Sequence, residues 1–119
     1  MNYTSHTRDG VLTVTLYGEL DHHGAAALRK GIDALIESEK LKKVALCLSE
    51  VCFCDSSGLG LLMGRYRKAR EAGAVMTVLD PSEAVARIMR LAGLDKLIKT
   101  ERSGENGRNG GKTENREGA

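Results

Sequence analysis

The sequence predicts an α/β domain: a mostly parallel sheet of four to five strands, an antiparallel N-terminal strand and flanking helices. Three observations lead there. Apolar residues alternate from Val11 to Tyr17, run from Val44 to Leu48 and dominate Ala74 to Leu79, all strand patterns. Between these segments apolar residues recur every three or four positions, a helix pattern. Strands alternating with helices imply right-handed crossovers and a largely parallel sheet.

The elements follow in order β-β-α-β-α-β-α-β. Leu12, Val14 and Leu16 share one side of the first long strand. Asp9-Gly10 before it is a hairpin signal, so Asn2 to Thr7 is expected to pair with it antiparallel. Gly18-Glu19-Leu20-Asp21-His22-His23 reads as the connection to a helix over residues 24–38, with Ala25, Leu28, Ile32, Leu35 and Ile36 inward. Asp21 or His22 lies near its N-terminus, where an acid suits the helix dipole. After the basic turn Lys40 to Lys43, Val44 to Leu48 reads as a central strand covered on both faces. Ser49 to Asp55 then leads to a loop.

A second helix spans 57–72, with Leu59, Leu62, Met63, Tyr66 and Ala69 inward and Arg65, Arg67, Lys68 and Arg70 on a solvated face. Gly73 is its expected C-cap. After the strand Ala74 to Leu79, Asp80-Pro81-Ser82 starts a third helix with Val85, Ile88, Met89 and Ala92 as its buried stripe. Gly93 ends it, and residues 95–99 form a last short strand around Leu97 and Ile98. From Glu101 to Ala119 only the terminal alanine is apolar; this polar, glycine-rich tail is expected to be disordered, leaving 1–100 as the folded domain.

Composition excludes several functions. A net charge of +2 on 119 residues, with aromatics at 3%, does not fit a nucleic-acid surface with stacking platforms. No apolar run approaches the roughly 20 residues that span a bilayer, and the first residues lack a signal peptide's apolar segment. A cytoplasmic protein is expected. Cys47, Cys52 and Cys54 are odd in number and form no C-x-x-C pair. Cys47 is expected to be a small buried hydrophobe. Cys52 and Cys54 with His22 and His23 have the wrong spacing for the common zinc sites, so no metal is expected.

The candidate site is Cys54-Asp55-Ser56-Ser57-Gly58-Leu59-Gly60, where a strand gives way to a helix. Ser56 falls at or next to the N-cap, so its hydroxyl is exposed at a helix end that tolerates negative charge. A phosphoryl group there would be accepted by the fold and felt by whatever docks. Ser56 as a plain cap is the simpler reading, and Ser57 is the neighbouring acceptor. A hydrolase nucleophile lacks its Gly-x-Ser-x-Gly elbow and a placed base. His22 and His23 read as solvated helix-start residues, and Met63 and Tyr66 as core.

Three blocks carry a family resemblance: Gly18-Glu19-Leu20-Asp21-His22-His23, Phe53 to Gly60, and Gly64-Arg65-Tyr66. With their spacing, the chain resembles the anti-sigma factor antagonists of the STAS type, sporulation sigma-F branch, over about residues 8–99. The resemblance implies a STAS-type fold and a partner switch without catalysis or cofactor. The unmodified protein binds an anti-sigma factor that is also a serine kinase holding ATP or ADP, and so frees the sigma factor. The kinase phosphorylates the serine after the Asp, here Ser56, and a serine phosphatase removes the phosphoryl group. Asp21, His22, His23, Asp55, Ser57, Gly58 and Gly60 are the expected partner-binding residues. Asp55 would shape the loop or cap the helix, while Gly58 and Gly60 would let the partner's nucleotide site approach Ser56. Because C-terminal strand ends of a parallel sheet share one edge, Asp21 and Ser56 are expected on one rim. Members of that family usually end in a further packed helix; here Glu101 onward is glycine-rich and polar, so either that helix is absent or the tail replaces it.

Two other readings compete. In a phospho-acceptor receiver domain, Asp55 would be the acceptor and magnesium the cofactor, but Glu19 and Asp21 only partly supply the acidic pair it needs, and Asp80-Pro81 stands where its lysine would be. A ligand-sensing STAS domain is the other, without a P-loop pattern to support it.

Overall fold

The computed structural model describes residues 2–103. Its elements are β1 (Asn2–Arg8), β2 (Val11–Leu20), α1 (His22–Ser38), β3 (Lys43–Cys54), α2 (Ser56–Glu71), β4 (Val75–Leu79), α3 (Glu83–Ala92), a 3-10 turn Leu94–Lys96 and β5 (Lys99–Glu101). They form one five-stranded sheet in the order β1-β2-β3-β4-β5. The first pair is antiparallel and the rest are parallel.

The β1–β2 hairpin turns on Asp9 (φ 52°) and Gly10 (φ 81°), the two positive values a type I′ turn needs. Leu12, Val14, Leu16, Val44, Leu46, Leu48, Met76 and Val78 are at most 1% exposed. They occupy alternate positions in register across three strands, so they face the same way. Leu28, Ile32 and Ile36 of α1 and Leu61, Leu62 and Ala69 of α2 join them in one core cluster, as do Val85, Met89 and Ile98.

Several expectations are corrected. β2 runs on to Leu20, with a register shift beside Gly18 (φ 111°), a conformation glycine takes without strain. β3 does not stop at Leu48 but reaches Cys54, because it stays paired to β2. Over Val44 to Leu48 one face is fully buried, while on the other Ala45 is buried and Cys47 is half-buried. The inner face of α2 carries Gly58, Leu61, Leu62, Arg65 and Ala69, one position off the expected stripe at several points. Leu59 and Tyr66 only flank the core, and Met63 is half-buried and outside it. On α3, Ala92 is exposed where burial was expected, and Ile88 flanks the core.

Arg65 is not on a solvated face; it is 6% exposed and paired across the helices with Asp33. The last strand lies later than expected, at Lys99–Glu101 rather than around Leu97, which is exposed. Glu101 is therefore part of the sheet, and its carboxylate accepts from Lys43 Nζ at 2.9 Å and Thr77 Oγ1 at 3.4 Å. Asp80, at φ 48°, holds the next residues: its Oδ1 accepts from the Ser103 amide at 2.8 Å. The tail expected to be disordered lies, from residue 104 onward, outside the described residues.

Candidate functional site

The site is built where β2 and β3 end side by side. Leu20 and Cys54 are register partners, and the Asp55 amide donates to the Leu20 carbonyl at 3.4 Å. Each strand is followed by an aspartate in extended conformation, then by a helix. Asp21 caps α1, its Oδ1 accepting from the Gly24 amide at 2.9 Å. Asp55 caps α2, its Oδ1 accepting from the amides of Ser57 (2.8 Å) and Gly58 (3.3 Å). These bonds satisfy amides that a helix start leaves without partners. The Gly24 bond holds the Asp21 carboxyl below its ordinary value.

Ser56 is thus the first residue of α2 and exposed, with its hydroxyl free of the capping work that Asp55 performs. His22 holds the corresponding first position of α1. His22 and His23 are both exposed, their rings edge-to-face with centroids 5.8 Å apart. They diverge: His22 lines a groove between α1 and α2, and His23 lines a shallower depression with Tyr17, Glu19, Asp21 and Cys52. Ser57 is half-buried and lines the α1–α2 groove.

Asp21, His22, His23, Asp55, Ser56 and Ser57 therefore share one rim, an arrangement the sequence predicted for Asp21 and Ser56. Gly60 is exposed beside them. Gly58 is the exception. It is buried, and a Cβ there would lie 2.6 Å from Cys54 Sγ and 2.8 Å from the Leu20 carbonyl. Its smallness serves the packing of α2 onto the strand ends, rather than an approach from outside. Cys54, packed beneath, is buried, and desolvation with the nearby Asp55 charge pushes its thiol up to about 11.

Sequence reasoning missed the groove walls. Arg29 of α1 lines it, and so do Gly60, Gly64 and Arg65 of α2. Arg65 Nε lies 2.7 Å from Asp33 Oδ1, an electrostatic contact whose N–H is not aligned as a hydrogen bond, and Nη2 donates to Oδ2 at 3.3 Å. The available signal was Gly60 and Gly64 spaced by four in a helix. Among the described residues no group of three or more His, Cys, Asp or Glu could hold a metal ion, and no helix is long and apolar enough to cross a membrane.

The sequential strand order separates this fold from the receiver reading. A receiver-like doubly wound sheet has order 2-1-3-4-5 with a switch point; here consecutive strands are neighbours throughout. Asp55 also spends its carboxylate on the helix cap.

Comparison with known proteins agrees. Residues 2–106 match the STAS domain. An anti-sigma F factor antagonist from Paenibacillus polymyxa is 39% identical over 89 residues, 75% of this chain and 76% of that protein. The structure of the anti-sigma factor antagonist SpoIIAA in its unphosphorylated form superposes with a TM-score of 0.71 at 26% identity, covering 83% of this chain and 87% of that one. The phosphorylated form of the Bacillus cell fate determinant SpoIIAA gives 0.65 at 25% identity, covering 83% and 90%.

Proposed function

The chain belongs to the STAS domain family, and from that premise we propose that it is an anti-sigma factor antagonist switched by phosphorylation of Ser56. In the unmodified state it binds an anti-sigma factor, itself a serine kinase holding ATP or ADP, and so releases a sporulation sigma factor in the cytoplasm. The kinase transfers a phosphoryl group to Ser56, and a serine phosphatase takes it off. The protein is the substrate of both reactions and the catalyst of neither.

One observation carries this reading. Ser56 is an exposed hydroxyl at the first turn of α2, held beside Asp21, His22 and His23 by the paired ends of β2 and β3. A helix N-terminus accepts a phosphoryl group without unfolding. The roughly −1.5 to −2 charge it adds would be costly to bury against a partner lacking a matching cation. Loss of about 1.4 kcal/mol already weakens binding tenfold. The switch therefore acts on association, with the fold left as it is. The similar protein SpoIIAA having both a phosphorylated and an unphosphorylated structure supports the reading.

Incubation with a sporulation-type anti-sigma kinase and ATP, followed by mapping of the phosphate by mass spectrometry, tests it. Phosphate on Ser56 that disappears in Ser56→Ala is the expected result. Phosphate that persists in that variant, on Ser57 for instance, contradicts it.

A further inference from the structure

We propose that the groove between α1 and α2 is a second recognition site, receiving an acidic side chain of the anti-sigma factor; this rests on the partner reading above. The groove, of about 330 Å³, opens beside the rim, and Ser57, next to Ser56 in the chain, lies in it. A partner that surrounds Ser56 would meet its mouth.

Its charge points to an anion. His22, Arg29 and Arg65 line it, and among the described residues no carboxylate does. Asp33 neutralises Arg65 from one side. Arg29 is exposed, close enough to Arg65 for the two charges to oppose each other, and has no ion-pair partner among the described residues. The N-termini of α1 and α2, each with its positive dipole end, sit at the same rim. An acidic side chain entering here would be the missing partner of Arg29.

The groove is also kept open at a cost. Gly60 and Gly64 lie inside α2, where glycine is less favourable than alanine. A Cβ on either would meet nothing within 4 Å. Among the described residues no atom lies close enough to require them small, in contrast to Gly58. What they preserve is space facing outward.

The experiment measures binding of the full chain to a sporulation-type anti-sigma factor loaded with ADP, by calorimetry, with the thermal midpoint of each variant. Gly64→Leu, filling the groove, is expected to bind about tenfold more weakly or worse, with an unchanged or raised midpoint. Arg29→Glu is expected to weaken binding at least as much, and Arg29→Lys to restore most of it. Arg29→Glu changes an exposed residue and keeps the test open should Gly64→Leu lower the midpoint. Wild-type binding by both Gly64→Leu and Arg29→Glu overturns the site. Loss in Gly64→Leu alone, with Arg29→Glu unaffected, overturns the acidic occupant. Failure of the unmodified chain to bind at all overturns the partner reading, and the groove assignment with it.

Discussion

Leu20 and Cys54 end two neighbouring parallel strands in register, and each is followed by an aspartate that caps a helix. This pairing sets Asp21-His22-His23 beside Asp55-Ser56-Ser57 and makes two strand-to-helix junctions, distant in sequence, into one surface.

The two capping aspartates should be separable from the switch. Asp55→Ala removes the acceptor of two amides and should destabilise the fold by about 1 kcal/mol, while Asp55→Asn, still a good cap, should cost far less. Urea denaturation of both variants checks the difference.

Asp21 should give stability an acid dependence. Its folded carboxyl titrates below the ordinary 3.8, so its contribution is fully present above that value and is lost as pH falls through the lower, folded one. Asp21→Asn should flatten the stability curve below about pH 4 and leave its shape at neutral pH unaltered. Unfolding midpoints measured from pH 2.5 to pH 7 decide this.

Gly58 and Gly60 should respond oppositely to alanine. Gly58→Ala forces a Cβ against Cys54 Sγ and the Leu20 carbonyl and should cost about 1–3 kcal/mol. Gly60→Ala meets open space and should be neutral or stabilising by up to about 1 kcal/mol. Equal midpoints for the two variants would contradict the packing role given to Gly58.

The thiols should react in order of exposure. Cys52 is exposed and Cys54 is buried with its thiol pushed up to about 11. Iodoacetamide at neutral pH should label Cys52 while leaving Cys54 unmodified in the folded protein. Peptide mass spectrometry over a labelling time course follows both.

Much of this surface was legible before the structure. The alternation at Leu12, Val14 and Leu16 and the Asp-Gly turn defined the hairpin, because each is a local signal with one physical solution. The spacing of Leu28, Ile32 and Ile36 did the same for α1. Other features were not local. That β3 continues through Cys54 depends on its pairing with β2, which the short polar stretch Ser49-Glu50 conceals. Arg65 looks like its solvated neighbours Arg67 and Arg70, and only the approach of Asp33 from α1 makes its burial tenable. Gly58 and Gly60 are indistinguishable in sequence, yet one faces the Leu20 carbonyl and the other faces open space.

The most direct test of the switch is the dissociation constant of the anti-sigma kinase, held with ADP, for the unmodified chain and for the same chain carrying phosphate on Ser56. The expected result is tight binding of the first and a loss of about 100-fold or more in the second, with identical circular dichroism spectra for the two. Equal affinities would contradict a switch at Ser56.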